Sequence, residues 1–214
     1  MTTPRWPVML FDLDGTLADT INAIVASYIH AWGSVGRRVT REEVLPWIGR
    51  TLTDVFVDEA PGQAAELEEI YMEHSKANLD TLVTGYDGVS ELLTELVAAG
   101  VRTAVVTSKR RETAEMTMRL VGLPEQTLLA VARQDTDRHK PDPTPLLVGL
   151  EAIGGRPDDS CYVGDAVVDL QAAHAAGMAG VGVTWGAGDP AALRLQPSVG
   201  VADTVAELRT LLFN

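Results

Sequence analysis

Short apolar segments alternate with amphipathic segments along most of the chain. The apolar segments predict buried strands. They cover residues 7–11, 101–107, 128–132, 161–163 and 180–183. The amphipathic segments carry apolar residues every three or four positions, which predicts helices such as 88–100 and 143–154. Because buried strands that alternate with helices are typical of a parallel sheet covered on both faces, the pattern predicts a three-layer α/β fold.

One region interrupts this alternation, since residues 19–84 contain helical patterns and no convincing strand. Its first predicted helix covers residues 20–34 and carries its apolar side chains on one face. Further on, Thr40 and Glu43 have the spacing of a capping box, which predicts a helix start. We therefore predict an all-helical cap inserted after the first strand. The two predicted domains are the core, residues 1–18 and 85–214, and the cap, residues 19–84.

The composition narrows the class of protein. The 214 residues are 46% hydrophobic and 22% charged, so the chain can bury a core without disulfide or metal support. The formal net charge of −13 argues against nucleic acid and anionic membranes as partners, because both select basic surfaces. The single cysteine excludes a disulfide framework and a cysteine-rich zinc site. We recognise no targeting or membrane-spanning segment and therefore expect a cytoplasmic protein.

Polar residues with related chemistry follow the predicted strands or precede a predicted helix. They are Asp-Leu-Asp-Gly-Thr at 12–16, Thr107 with Ser108, Lys140, and Asp165 with Asp169. Ligands bind at the carboxyl ends of strands in open parallel sheets, so we expect these side chains to meet there. Carboxylates are ligands that Mg²⁺ prefers, and converging carboxylates repel one another unless a cation neutralises them. Because the hydroxyl of Thr107 and the ammonium of Lys140 suit a phosphoryl group, the pattern predicts a magnesium and phosphate site.

The order and spacing of these motifs resemble those of the haloacid dehalogenase superfamily. The four matching motifs are DLDGT at 12–16, Thr107 at a strand end, Lys140 in KPDP, and Asp165 with Asp169 in GDAVVD. The helical insertion between the first two motifs is similar to the cap of the phosphoglycolate phosphatase and β-phosphoglucomutase branch. The resemblance covers nearly the whole chain. It implies a Rossmann-like three-layer core with a helical cap, Mg²⁺ as the cofactor, and phosphoryl transfer through an aspartyl-phosphate.

The resemblance assigns chemical roles to two carboxylates of the first motif. Asp12 would be the nucleophile that attacks phosphorus and forms the aspartyl-phosphate. Asp14 would protonate the leaving oxygen as a general acid and then activate water as a general base. Dehalogenating members lack a carboxylate at the position of Asp14, so we do not expect a dehalogenase. The implied metal-site residues are Asp12, Asp14 through its backbone carbonyl, Asp165 and Asp169.

The other candidate residues are expected to bind the substrate. Thr107 and Lys140 would hold the oxygens of the phosphoryl group, as the resemblance implies. Ser108 would add a contact beside them, at a position where many relatives have asparagine. Arg50 lies in the predicted cap, and it is either a contact to the rest of the substrate or a solvated arginine at a helix end. The first motif adds two further candidates, Gly15 and Thr16.

These observations together predict a Mg²⁺-dependent phosphatase for a small phosphorylated metabolite, similar to phosphoglycolate phosphatase. A phosphosugar mutase of the β-phosphoglucomutase type is the enzymatic alternative, since it shares the first half-reaction. A receiver-like phospho-acceptor module is the non-enzymatic alternative. It fits poorly, because the strand predicted at 101–107 contains no aspartate and Lys140 precedes the last acidic motif. The sequence leaves open the oligomeric state and the substrate, which could be phosphoglycolate, a sugar phosphate, a nucleoside monophosphate or pyrophosphate.

Overall fold

A six-stranded parallel sheet forms the centre of the computed structural model, which describes residues 3–214. The strands of the chain are β1 (Val8–Phe11), β2 (Ala18–Asp19), β3 (Thr84–Gly85), β4 (Arg102–Val106), β5 (Leu128–Val131), β6 (Ser160–Gly164), β7 (Ala179–Val183) and β8 (Gly200–Ala202). The sheet has the order β5-β4-β1-β6-β7-β8, and every neighbouring pair in it is parallel. This arrangement confirms the predicted α/β fold.

Helices cover both faces of this sheet and also form the segment between β2 and β3. They are α1 (Ile21–Ser34), α2 (Arg41–Val44), α3 (Leu52–Glu59), α4 (Ala64–Leu82), α5 (Val89–Ala98), α6 (Arg111–Leu120), α7 (Thr144–Ala152), α8 (Val167–Ala175), α9 (Pro190–Arg194) and α10 (Val205–Leu212). None of the helices in the described part of the chain combines the length and the hydropathy that a membrane span needs.

The side chains of β1 explain why the core has two apolar layers. Successive side chains of a strand point to opposite faces of its sheet. Met9 and Phe11 accordingly pack in a cluster with residues of α5 and α10. Val8 and Leu10 pack in a separate cluster with residues of α7 and α8. Since β1 is buried on both faces, its sequence is continuously apolar, as is typical of a central parallel strand.

The five strands predicted from the sequence are confirmed, with ends that differ by at most one residue. The sequence analysis missed β8, which has only three residues and lies at the sheet edge. It also missed the antiparallel pair of β2 and β3, each of two residues. Elements this short carry too few residues for a hydrophobic period to be recognised.

Helices α1–α4 pack around an aromatic cluster of their own. The ring of Tyr28 lies 5.2 Å from that of Trp47, 5.4 Å from that of Phe56 and 4.9 Å from that of Tyr71. The capping box predicted at the start of α2 is confirmed by reciprocal hydrogen bonds between Thr40 and its partner three residues on. This cluster supports the division into a core and a cap over residues 19–84, and the division stays a prediction.

The close contact between α7 and the sheet yields a stability prediction at Gly149. A Cβ atom there would lie 2.6 Å from Cγ2 of Val106 and 3.4 Å from Cδ1 of Leu10. We expect Gly149→Ala to lower the free energy of unfolding by about 1–3 kcal/mol, because it overpacks the core. Gly33→Ala in α1 is the matched control, since a Cβ there meets no atom within 4 Å. The control should raise the free energy of unfolding by about 0.5–1 kcal/mol through helix propensity. Urea unfolding measures the free energy of unfolding of both variants. Equal values for Gly149→Ala and the wild type would contradict the packing described for α7.

Candidate active site

The carboxyl ends of three adjacent strands bring the predicted motifs together. Asp12 follows β1, Thr107 follows β4 and Asp165 follows β6, and β1 lies between the other two strands. The backbone N–H of Asp12 donates to the carbonyl of Val163 at 2.9 Å, which continues the ladder past the end of β1. The backbone hydrogen bonds of the sheet therefore determine how far apart these side chains start, independently of any contact between them.

Three carboxylates form a buried acidic group at this edge of the sheet. Asp12, Asp165 and Asp169 each offer an oxygen atom within 4.8 Å of the other two, and they are 3%, 2% and 0% exposed. The hydroxyl of Thr16 donates to Oδ1 of Asp165 at 3.2 Å, and the backbone N–H of Ala187 donates to Oδ2 at 2.9 Å. Asp165 is thus oriented from two sides, as expected for a ligand that must keep its position.

The ammonium group of Lys140 lies among these carboxylates. Its Nζ atom is 2.9 Å from Oδ1 of Asp12 and 2.6 Å from Oδ1 of Asp169. It also donates to the hydroxyl of Tyr162 at 3.1 Å, and that hydroxyl donates to the carbonyl of Val106 at 2.9 Å. One ammonium group cannot balance three carboxylates, so the group as a whole keeps a surplus of negative charge when all three are ionised.

Burial and mutual repulsion change the protonation of this group. Burial raises the pKa of Asp12 to about 7, with Lys140 acting in the opposite direction. Burial also raises the pKa of Asp165 to about 8, and the neighbouring carboxylates of Asp169 and Asp12 add to the effect. Burial alone would lower the pKa of Lys140, but the two carboxylates beside it hold that pKa well above its usual value. Lys140 is therefore a permanent cation in this site.

The donor set of the acidic group fits a magnesium ion. All the candidate ligands are oxygen atoms, which Mg²⁺ prefers over nitrogen or sulfur. Although the ammonium of Lys140 is 2.9 Å away, Oδ1 of Asp12 is buried without a hydrogen-bond partner among the described residues. A Cβ atom at Gly15 or Gly186 would lie 2.5 or 2.1 Å from Oδ2 of Asp165, so only glycine lets the chain pass this close to the carboxylate.

The carboxylate of Asp14 lies outside the acidic group and has a different partner. Nζ of Lys109 lies 2.8 Å from Oδ1 of Asp14, and the two side chains are 11% and 15% exposed. The sequence analysis did not assign Lys109 to the site. A signal was present, because Lys109 directly follows Thr107 and Ser108 at the end of a strand. Its backbone N–H donates to the hydroxyl of Thr107 at 3.2 Å, which ties the two motifs together.

A cavity between helices α1–α4 and the sheet leads to Asp12. Asp14, Thr107, Ser108 and Arg50 also line it. Ser108 donates from its hydroxyl to the carbonyl of Gly49 at 3.0 Å, so this strand end contacts the segment before α3. Arg50 reaches the cavity, and its guanidinium group pairs with Asp58. Five candidate residues are not among the residues that line it: Lys140, Asp165, Asp169, Gly15 and Thr16.

Comparison with known proteins identifies the family. The haloacid dehalogenase-like hydrolase family matches residues 9–183, which include every predicted motif. The chain belongs to this family. The predicted resemblance is thereby confirmed.

Relatives of this hydrolase carry specific names. It is 37% identical over 186 residues to pyrophosphatase PpaX of Bacillus velezensis, covering 86% of each chain. It is 33% identical over 211 residues to pyrophosphatase PpaX of Bacillus cereus, covering 98% of each chain. These names agree with the predicted enzyme class, a phosphatase of this family.

Solved structures share the fold of this hydrolase. A haloacid dehalogenase-like hydrolase from Bacteroides fragilis has a TM-score of 0.88 and 25% identity, over 95% of this chain and 99% of its own. A predicted phosphoglycolate phosphatase from Haemophilus somnus has a TM-score of 0.85 and 24% identity, over 97% and 98%. The second likeness concerns the fold alone. The arrangement of sheet and helices described above is thus that of the family.

The raised pKa values of Asp12 and Asp165 predict how Mg²⁺ affects stability. Both lie above the ordinary value of 3.8, so the folded hydrolase binds more protons than the unfolded chain. The metal-free protein should therefore lose stability as the pH rises from about 4 to about 8. A Mg²⁺ ion held by these carboxylates would compete with those protons, so it should raise the melting temperature more at pH 8 than at pH 6.

Thermal unfolding with MgCl₂ or EDTA at the two pH values measures this difference. Asp165→Asn removes the charge of one candidate ligand, so Mg²⁺ should raise the melting temperature of this variant less than that of the wild type at pH 8. Asp189→Asn is the matched control, because Asp189 caps α9 outside the acidic group. If Mg²⁺ raised the melting temperature equally at both pH values, the assignment of the metal site to these carboxylates would be contradicted.

Proposed function

We propose that this protein is a Mg²⁺-dependent phosphatase that hydrolyses a small phosphorylated metabolite through an aspartyl-phosphate on Asp12. The observation that carries the proposal is the position of Asp12. Its carboxylate faces the cavity on one side and contacts the buried ammonium of Lys140 on the other. A carboxylate held in this way is available to a substrate, while the contact with Lys140 fixes its position and favours its ionised form against the effect of burial.

The first half-reaction would transfer the phosphoryl group to Asp12. A carboxylate oxygen of Asp12 forms a bond to phosphorus as the bond from phosphorus to the leaving oxygen breaks. Asp14 lines the same cavity and would donate a proton to that leaving oxygen. Lys109 contacts Oδ1 of Asp14 and positions the carboxyl group, whose protonated form would supply this proton. Bound Mg²⁺ would supply positive charge next to the phosphoryl oxygens and lower the repulsion between them and Asp12.

The second half-reaction would restore the enzyme with the same residues. Asp14, now ionised, takes a proton from a water molecule that attacks the phosphorus of the aspartyl-phosphate. The bond between phosphorus and the Asp12 oxygen breaks, and inorganic phosphate leaves. Thr107 would donate its hydroxyl to a phosphoryl oxygen, and Lys140 would offset the charge around Asp12 in both halves. Asp165 and Asp169, with Asp12, would hold the metal ion.

The names of the relatives indicate the class of substrate. Relatives named pyrophosphatase favour a compact substrate whose phosphoryl group leaves from another phosphate, and phosphoglycolate is the second candidate. Hydrolysis is favoured over the mutase alternative by the same names. Family membership excludes the receiver-like module. Arg50 stays a predicted substrate contact, and a cytoplasmic location stays a prediction.

The division of labour between Asp12 and Asp14 can be tested with two isosteric variants. Asp12→Asn should abolish turnover, since an amide is a poor nucleophile and carries no charge for the metal. Asp14→Asn should lower kcat on pyrophosphate by about 10²–10⁴-fold, which is the usual contribution of general acid–base catalysis. With p-nitrophenyl phosphate the loss in Asp14→Asn should be smaller, because p-nitrophenolate leaves with little need for a proton.

Phosphate release in MgCl₂ and in EDTA measures both variants, and the intact mass reports any phosphorylated Asp12. Asp87→Asn is the control, because Asp87 lies in the segment between β3 and α5 and does not line the cavity. Turnover by Asp12→Asn, or full wild-type turnover in EDTA, would overturn the proposed function.

A further inference from the structure

Four cationic side chains line the cavity that leads to Asp12, and three of them have a partner. Lys109 pairs with Asp14, Arg50 pairs with Asp58 and Arg110 pairs with Glu68. The fourth is Arg133, which follows β5. Within residues 3–214, no acceptor or carboxylate contacts the guanidinium of Arg133. Among the described residues, Arg133 is therefore the cation of this cavity that is not paired with a carboxylate.

The position of Arg133 is well defined although its guanidinium has no partner. Its backbone N–H donates to the carbonyl of Lys109 at 2.9 Å, which connects the segments after β4 and β5. Its Nε atom is buried and has no hydrogen-bond acceptor in the described part of the chain. A buried donor without an acceptor destabilises the folded chain. A ligand that offers an acceptor at this position would remove that cost.

We propose that Arg133 forms an anion subsite for a second negatively charged group, carried by the leaving part of the substrate. The inference rests on the proposed function, because it takes the phosphoryl group at Asp12 as the first group. Arg133 would bind a phosphate or carboxylate through paired N–H donors, the geometry that a guanidinium matches best. The substrate class is thus a compact phosphorylated anion with two charged ends. Pyrophosphate and a phosphorylated carboxylic acid both belong to it.

The size of the cavity agrees with a compact substrate. About 50 Å³ is open to the centres of water molecules, where a single water needs about 10–15 Å³. This enclosed volume is small, which favours a compact substrate. Apolar and aromatic side chains, such as Ile48 and Tyr71, also line the cavity. Because Lys109, Arg110 and Arg50 are paired with carboxylates, Arg133 is the group suited to select a second anion.

The kinetic test compares substrates whose leaving groups differ in charge. Arg133→Met keeps the length of the side chain and removes the charge and donors. It should lower the kcat/KM for pyrophosphate relative to that for p-nitrophenyl phosphate by about 10–100-fold, equivalent to about 1.4–2.7 kcal/mol. Phosphoglycolate, as the carboxylate arm, shows whether the second group is a phosphate or a carboxylate. Arg138→Met is the matched control, because Arg138 lies further along the same loop with its side chain 73% exposed. It should leave the ratio within about twofold.

A binding measurement makes the test independent of turnover. Calorimetry with methylenediphosphonate in the presence of Mg²⁺ should show affinity about 10–100-fold weaker in Arg133→Met than in wild type, the same range as for kcat/KM. Inorganic phosphate, which has no second charged group, is the reference ligand. The melting temperature of Arg133→Met should equal or exceed that of wild type, since the variant removes a buried donor without an acceptor.

Each outcome distinguishes this proposal from the proposed function. Equal losses on pyrophosphate and p-nitrophenyl phosphate, or a lower melting temperature, would make Arg133 a structural residue and overturn the subsite. An unchanged ratio and affinity would also overturn it. If Asp12→Asn remains active, the proposed function fails, whereas the affinity for methylenediphosphonate still decides whether Arg133 binds a second anion.

Discussion

The buried ion pairs of Lys140 are the interaction on which the active-site end of the molecule depends. Asp12 and Asp169 lie on different elements, and the ammonium between them offsets the repulsion that would otherwise separate them. Removing one partner of such a buried pair typically costs about 3–5 kcal/mol, because the remaining charges are left without compensation. The same ammonium opposes the effect of burial, which raises the pKa of Asp12 at the cavity. Stability and reactivity at this site therefore depend on the same contact.

The surroundings of this ion pair leave little room for rearrangement. A Cβ atom at Gly164 would lie 2.4 Å from Cβ of Asp169, so β6 passes as close to the start of α8 as a chain can. Tyr162 adds a hydroxyl that bridges Lys140 to the backbone of β4. The core thus provides a rigid support for the carboxylates, which is the property that electrostatic catalysis requires.

The helices over the cavity are held in a different way. Their aromatic cluster is internal, whereas their links to α6 and the segment before it include two ion pairs, the exposed pair of Lys76 with Glu112 and the pair of Arg110 with the partly buried Glu68. Such pairs contribute about 0–1 kcal/mol each when they are exposed. The helices of the predicted cap over residues 19–84 thus have a core of their own, and Ala23 and Leu79 add a smaller apolar contact with Met116 and Val121. This arrangement is compatible with movement of α1–α4 against the sheet during substrate entry and product release.

The sequence by itself determined the α/β pattern, the helical insertion and the strand ends that carry Asp12, Thr107 and Asp165. These features are local, because periodicity and neighbouring residues in the chain establish them. Only the tertiary structure decided which charges are paired. Lys109 contacts Asp14, which is 95 positions away in the sequence. The Nε of Arg133 has no acceptor because none of the described segments packed around it in the folded chain supplies one. Spacing along a chain specifies which strand end a residue occupies, but pairing and burial depend on side chains that distant segments bring to the same place.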